Sequence, residues 1–155
     1  MPGAGSDLSA DLGALVLLGI AGLLCLTLWQ RGQRGTAWAV WTAAIVSVSV
    51  PFFDLHAHTH WPAVAWIPFK SPPVKVSDIV ANAFLYVPFG FLAFRQRMAS
   101  SRLVTIVVAA AALSLLAESS QLFSHSRFPS TTDLVCNVVG AAMGLMVAKW
   151  FGPAG

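Results

Sequence analysis

Five long apolar stretches constrain the fold of this chain more than any other feature. They lie at about Leu12–Trp29, Thr36–Phe53, Ile79–Phe94, Leu103–Phe123 and Thr132–Trp150. Each is close to the roughly 20 residues with which a helix crosses about 30 Å of lipid hydrocarbon. Hydrophobic residues form 57% of the 155 residues and charged residues only 10%, which excludes an ordinary soluble domain. The sequence therefore predicts an all-α, polytopic membrane helix bundle with about five transmembrane helices.

The distribution of Lys and Arg predicts how this bundle is oriented. Of the 9 basic residues, six fall on the side of the first loop, the third loop and the C-terminus, and three on the other side. Cytoplasmic loops carry an excess of positive charge. We therefore expect residues 1–11 to form a short outer N-terminal segment, residues 12–150 to form a single transmembrane domain, and the C-terminus to be cytoplasmic. The lipid bilayer is the expected partner, and no nucleic-acid partner is predicted.

Polar side chains gather at one end of the last three stretches. An ionisable group at the centre of a membrane helix costs roughly 2.5–3.5 kcal/mol, so such residues tend to face a partner or a cavity. At helical spacing they form one stripe on each helix. The members are Asp78, Asn82 and Tyr86, then Glu118 and Gln121, then Asp133 and Asn137, with Arg127 in the loop before them. We predict that they form a ligand-binding pocket near the outer membrane face.

Each of these residues also has a structural interpretation. Asp78 and Asp133 could cap their helices, and the three amides could simply join helices through hydrogen bonds worth about 0.6 kcal/mol each. Glu118 is harder to explain in this way, because the helix dipole disfavours a carboxylate near a C-terminal end. Arg127 could be a surface positive charge, but we expect it to pair with Glu118, Asp78 or Asp133.

Four further residues are expected to shape the helices. Pro88 and Gly90 interrupt the third stretch, and the missing donor of Pro88 is expected to bend that helix. Gly140 and Gly144 form a G-x-x-x-G pair, which lets another helix approach closely. Since this pair continues the polar stripe of the fifth helix, the last three helices should pack together with their acids facing inward.

The order and spacing of these residues resemble the VanZ-like family of small membrane proteins. The pattern is Asp78-x-x-x-Asn82-x-x-x-Tyr86-x-Pro88-Phe89-Gly90, Glu118-x-x-Gln121 and Arg127 followed by Asp133-x-x-x-Asn137-x-x-Gly140-x-x-x-Gly144. The resemblance therefore covers about residues 78–144. The founding member of that family is associated with teicoplanin resistance, so the resemblance implies an antibiotic-related role at the cell envelope and a place in the bacterial cytoplasmic membrane.

Two classes of function fit the predicted pocket. In the first, the pocket binds or modulates an amphiphilic envelope molecule, such as a lipid-linked cell-wall precursor or a lipoglycopeptide. In the second, the protein is a membrane-embedded hydrolase or transferase, with Glu118, Asp78 and Asp133 as candidate catalytic residues. We favour the first, since the sequence has no nucleophile motif or P-loop and predicts no cofactor. A transporter is a third hypothesis; the chain has no evident internal repeat, so it would need a homo-oligomer.

The loop after the second stretch contains another candidate site. His56, His58 and His60 would share one face of an extended segment, and imidazoles are common ligands of zinc and copper. The same loop is also rich in Trp and Pro and could be an interfacial surface. We therefore assign no metal site from the sequence and leave metal binding by this loop open. His125, in the next outer loop, could act as a base near the acids.

Overall fold

Five α-helices form the described part of the chain. This computed structural model describes residues 4–70, 75–95 and 102–151, with the backbone alone at residues 4–11 and 102. The helices are α1 (Ala4–Gln30), α2 (Arg34–Ser49), α3 (Val76–Arg95), α4 (Arg102–Gln121) and α5 (Thr131–Trp150), and a short 3₁₀ turn covers Trp61–Ala63. No strand occurs among the described residues. The prediction of an all-α helix bundle is therefore confirmed.

Consecutive helices run in opposite directions, so the bundle has two ends. At the basic end, the guanidinium carbons of Arg34 and Arg95 lie 5.1 and 5.6 Å from the centre of the Trp29 ring. The C-terminal ends of α1 and α3 and the N-terminal end of α2 therefore meet there. At the opposite end, which we call the loop end, the Gln121 side chain donates a hydrogen bond to the Ser49 carbonyl at 3.3 Å. The connection between α4 and α5 also lies at the loop end.

Among the described residues, four helices are long and apolar enough to cross a membrane, namely α1, α3, α4 and α5. The helix α2 has 16 residues, which corresponds to about 24 Å. It is shorter than the predicted stretch Thr36–Phe53, because a residue before proline disfavours helical backbone. Val50, which precedes Pro51, is extended with a ψ of 125°. Despite its length, α2 runs from the basic end to the loop end.

The helices α3 and α5 run in the same direction and form the most extensive helix pair of the described bundle. Glycines allow this close approach. A Cβ atom added at Gly140 would overlap the carbonyl oxygen of Ala83, and one at Gly144 would overlap that of Val87. A Cβ atom at Gly90, on the α3 side, would likewise overlap the backbone of α5. The two backbones are therefore in direct contact along this face.

The helix α3 continues through Pro88. A proline lacks the backbone N–H, so the helix has one donor fewer at this point. Pro88 removes the N–H that would donate to the Phe84 carbonyl, and the adjacent carbonyl, that of Leu85, accepts a hydrogen bond from the indole Nε1 of Trp41 at 2.9 Å. The neighbouring helix α2 thus supplies a donor beside the proline, as membrane helix bundles commonly do.

The core of the bundle lies between α2, α3, α4 and α5. Its buried members are Ile45, Tyr86, Phe89, Ala110 and Ala141. In contrast, α1 packs mainly on α2, and large apolar side chains along α1 stay exposed, including Leu15 and Leu23. In a membrane protein such a surface faces lipid.

Candidate functional site at the loop end

The segment from Asp54 to Lys70, here called the covering segment, folds over the connection between α4 and α5. The backbone N–H of His56 donates to the carbonyl of Phe123 at 2.8 Å. Further along, an isolated parallel β-bridge joins Ala65 to Ser130. The two loops therefore form one hydrogen-bonded layer, in which residues that are distant in the sequence meet.

Asp54 holds the connection between α4 and α5 in place. Its Oδ2 accepts hydrogen bonds from the hydroxyls of Ser124 and Ser126, both at 2.6 Å. The same atom accepts from the backbone N–H groups of His125 and Ser126 at 3.0 and 2.8 Å, while Oδ1 contacts His56 Nε2 at 3.0 Å. The hydrogen bonds from Ser124 and Ser126, followed by that from His56, hold the pKa of Asp54 well below its usual range. Asp54 is therefore an ionised structural anchor.

Glu118 is buried near the C-terminal end of α4, with 8% of its surface exposed. Its Oε2 accepts a hydrogen bond from the backbone N–H of Ser130 at 2.6 Å. The Ser130 side chain in turn accepts from the N–H of Thr132, so Ser130, and not Asp133, is the N-cap residue of α5. The dipole of α4 disfavours a carboxylate here, but the N-terminal end of α5 favours it. The second helix thus gives Glu118 a structural reason for its position.

A groove of about 230 Å³ opens beside Glu118, between the covering segment and the helices α4 and α5. Its lining is mostly apolar, with Ser119 and Thr131 among the few polar side chains. Trp61 and Trp66 form one edge, and their rings stack with centroids 6.2 Å apart and an interplanar angle of 2°. The groove therefore combines a buried carboxylate with an exposed aromatic edge.

Asp78 and Asp133 lie in the first turns of α3 and α5, where the helix dipoles favour negative charge. The side chain of Asn82 forms a hydrogen bond to the carboxylate of Asp133, and Asp78 lies close enough to Asp133 for the two charges to repel. Asp78 is exposed and also accepts a hydrogen bond from the hydroxyl of Ser77 at 3.1 Å. These residues form a second acidic patch where α3 meets α5.

Arg127 contacts a different group from the one predicted. Its Nη1 donates to the carbonyl of Val48 at 2.9 Å, and among the described residues no carboxylate forms an ion pair with it. The last carbonyls of a helix lack intrahelical donors and attract a cation, and Val48 lies in the last turn of α2. The charge of Arg127 still acts on Glu118 and Asp133 at longer range.

Two of the predicted ligand-binding residues are in the core. The Asn137 side chain donates to the hydroxyl of Ser114 at 2.9 Å, which joins α5 to α4. The Tyr86 hydroxyl lies beside Ser114 but makes no well-oriented hydrogen bond, and the Asn137 Oδ1 is also without a partner among the described residues. Tyr86 and Asn137 therefore contact the packed interior and do not line the groove.

Four histidines gather on the surface formed by the covering segment and the α4–α5 connection. The Nε2 atoms of His58 and His125 are 2.9 Å apart. The His125 ring stacks on His56 with centroids 3.9 Å apart and meets the edge of His60 at 4.7 Å. Desolvation lowers the pKa of His125, and the nearby imidazoles lower it further. His125 thus lies with the loop histidines.

A larger groove, of about 650 Å³, lies at the basic end between α1, α2 and α3. Of the described residues that line it, Arg95 alone is charged. Its surface suits a lipid chain better than a polar group. The side chains capable of chemistry are concentrated at the loop end, although the groove beside Glu118 is smaller than this one.

The structure divides the predicted pocket into separate parts. Glu118 lies at the groove, and Asp78, Asn82 and Asp133 lie together where α3 meets α5. Gln121 and Arg127 instead contact the end of α2. Sequence reasoning missed that Trp61, Trp66 and Ser130 line the groove, because these contacts depend on how the covering segment folds back. The one available signal was the density of Trp, Pro and His in that segment.

The fold and this end of the bundle define a small polytopic helical membrane protein with a polar site at its loop end. A family model described as VanZ/LLP1 matches residues 15–152. This is most of the chain, and the chain therefore belongs to the VanZ/LLP1 family. The match covers α2 and most of α1, which lie outside the region 78–144 that carried the resemblance. No curated protein and no solved structure matches the chain significantly.

Proposed function

We propose that this protein binds an amphiphilic molecule of the bacterial cell envelope in the groove beside Glu118. The molecules that fit this proposal are a lipid-linked cell-wall precursor and a lipoglycopeptide such as teicoplanin. The observation that carries the proposal is the buried carboxylate of Glu118 at the edge of an apolar groove that opens on the surface of the bundle. Such a groove matches a molecule with both a hydrocarbon chain and polar groups.

The walls of the groove support binding of the apolar part. Leu115 lines the groove and is 56% exposed, and Trp61 and Trp66 are 54% and 62% exposed. Exposed aromatic rings favour the interface between lipid and water. The cavity of about 230 Å³ is smaller than the roughly 300–1,000 Å³ of typical small-molecule pockets. We therefore expect the groove to hold only one part of the ligand, with the remaining chain in the bilayer.

The charges at the loop end support recognition of the polar part. A carboxylate such as that of Glu118 accepts hydrogen bonds, so it suits the hydroxyl, amide or ammonium groups of a sugar or peptide. Arg127 is exposed and suits an anionic group. Asp78 and Asp133, in the separate patch where α3 meets α5, offer further acceptors at the same end of the bundle. The proposed ligand thus carries hydrogen-bond donors next to an anionic group, as envelope precursors do.

The association of the VanZ-like family with teicoplanin resistance fits a site on the outer face of the cytoplasmic membrane. We therefore propose that the loop end faces outward and that the C-terminus is cytoplasmic. The asymmetry of Lys and Arg supports this orientation, since Arg31, Arg34 and Arg95 lie at the basic end of the bundle.

A labelling experiment tests this orientation. Ala63→Cys at the loop end and Gln33→Cys at the basic end both place a thiol at an exposed position. In intact cells an impermeant thiol reagent should label Ala63→Cys and leave Gln33→Cys unlabelled until the cells are opened. The native Cys25 and Cys136 are buried, which keeps the background low. The opposite labelling pattern would place the groove on the cytoplasmic side and overturn the outward orientation.

Blocking the groove tests the binding proposal. Leu115→Trp should fill part of the groove and lower the affinity for the ligand by about tenfold, which corresponds to about 1.4 kcal/mol. The matched control is Leu116→Trp, since Leu116 is 69% exposed but does not line the groove. Binding is measured for the protein in lipid nanodiscs, with teicoplanin and an isoprenoid-linked disaccharide-peptide as separate probes.

The two probes distinguish the two ligand classes. Binding of one probe that is weakened by Leu115→Trp but not by Leu116→Trp supports the proposal and names the class. If neither probe binds the unaltered protein, or if both Trp variants bind as well as it does, this groove does not bind an envelope amphiphile.

A further inference from the structure

We propose that His58, His60 and His125 form a binding site for a divalent transition-metal ion of the zinc class. The structure supplies one ligand nitrogen from each of these residues, and the three nitrogens all lie within 4.8 Å of one another. Neutral imidazole is a common ligand of Zn²⁺, Cu²⁺ and Ni²⁺. The site is separate from the groove beside Glu118, since none of these histidines lines that groove.

The spacing of the nitrogens fits a tetrahedral ion after small side-chain rotations. Zn–N bonds are about 2.0–2.1 Å, so two nitrogens on one tetrahedral Zn²⁺ lie roughly 3.3 Å apart. The Nε2 atoms of His58 and His125 are 2.9 Å apart, and they would have to separate by only a few tenths of an ångström. The third nitrogen, from His60, lies within 4.8 Å of both, so rotation of its side chain would have to bring it closer by at most about 1.5 Å to reach the same spacing.

The surroundings hold these imidazoles in place. His60 Nδ1 contacts the carbonyl of Leu122 at 3.3 Å, an arrangement that leaves Nε2 free to bind a metal. Metal-ligating histidines commonly place the other ring nitrogen against such an acceptor, which fixes the ring orientation. The backbone of His125 is held by Asp54 at 3.0 Å, and its ring is stacked on His56. The ligands are therefore preorganised by contacts that do not involve the ion.

Metal binding would join two parts of the chain that are separate in sequence. His58 and His60 belong to the covering segment, and His125 belongs to the connection between α4 and α5. One ion would therefore fasten the covering segment over the loop end. Three protein ligands leave a fourth position free, and His58 and His125 are exposed. Water or an exchangeable anion would occupy that position, as in zinc sites that are not purely structural.

Titration with Zn²⁺ tests this site. The full chain, purified without a histidine tag and treated with a chelator, should bind one Zn²⁺ per chain. His58→Gln, His60→Gln and His125→Gln should each weaken binding by about 100-fold or more, since even outer contacts of metal ligands change affinity by about 10–100-fold. The matched control is His56→Gln, which removes a stacked histidine outside the ligand set and should keep the affinity within about tenfold, the lower end of that range. Helical content and thermal unfolding in the absence of metal show whether each variant is folded.

A spectroscopic measurement on the unaltered protein does not depend on any variant folding. Bound Co²⁺ in a site with three nitrogens should give the strong visible absorption of a four- or five-coordinate ion, and Zn²⁺ should displace it and raise the unfolding temperature. Weak binding of several ions without this spectrum would overturn the proposal. Equal binding by His125→Gln and the unaltered chain, or an equal loss in His56→Gln, would also overturn it.

Discussion

Gly144→Ala should sharply lower the stability of the folded bundle, although it adds a single methyl group. The new Cβ atom would overlap the carbonyl oxygen of Val87 and lie 2.9 Å from the backbone nitrogen of Phe91. Backbone atoms cannot rotate away as a side chain can, so α3 and α5 would have to separate along their contact. Overpacking of this kind costs up to about 3 kcal/mol. Thermal unfolding in detergent, with the fraction of monodisperse protein, measures the effect.

The matched control is Gly19→Ala in the middle of α1. No atom outside its own helix lies within 4 Å of a Cβ atom placed there, and alanine favours a helix by about 1 kcal/mol over glycine. We therefore expect Gly19→Ala to be as stable as the unaltered chain or slightly more stable. Equal unfolding temperatures for the two variants would show that the backbones of α3 and α5 do not approach as described.

Glu118→Ala should weaken the loop end by about 1–3 kcal/mol, because it removes the acceptor of a partly buried backbone donor. The N–H of Ser130 donates to Glu118 at 2.6 Å, and a donor left without a partner away from water costs free energy of that order. Ser130 also caps α5 and forms the β-bridge to Ala65. Loss of this one acceptor should therefore loosen the covering segment as well. Hydrogen exchange at the Ser130 amide and global unfolding measure the two effects.

Glu118→Gln separates the structural role of this side chain from its role in binding. The amide oxygen of glutamine still accepts from Ser130, so most of the stability should return, while the side chain can no longer carry a negative charge. Gln121→Ala is a control in the next turn. The hydrogen bond from Gln121 to Ser49 is longer, at 3.3 Å, so its loss should lower the stability by about 1 kcal/mol. If Glu118→Gln is as unstable as Glu118→Ala, the charge itself maintains the fold. If it is stable and still binds the ligand normally, Glu118 does not recognise the polar part.

The resemblance to the VanZ-like family could be recognised from the sequence, and the helix bundle could be predicted from it, because both depend on local sequence. Long apolar runs can satisfy their backbone groups in lipid only as helices, so the stretches around α1, α3, α4 and α5 follow from composition alone. The end of α2 was predicted too late at Phe53, since hydrophobicity continues past Ser49 while the backbone already turns at Pro51. A hydropathy pattern is insensitive to this backbone effect.

The partners of the polar residues could not be predicted in the same way. Arg127 lies near three acids in the predicted topology, but it donates to the Val48 carbonyl. Which group Arg127 contacts depends on where the end of α2 lies in the folded bundle. The spacing of residues in the sequence does not give that position. The same holds for His125, which meets His56 and His58 across the two loops.

The sequence by itself determined that this protein is a helical membrane bundle of the VanZ/LLP1 family and that its acids gather at one end. The bundle and the position of the acids come from the length of the apolar stretches and the residue spacing along single helices, and the family comes from the resemblance of that pattern to a known one. Only the tertiary structure decided that Glu118 faces a groove, that Ser130 caps α5 and that the histidines converge. Each of these contacts is made by the covering segment or between helices, where the geometry depends on how separate parts of the chain pack and not on the residues adjacent in sequence.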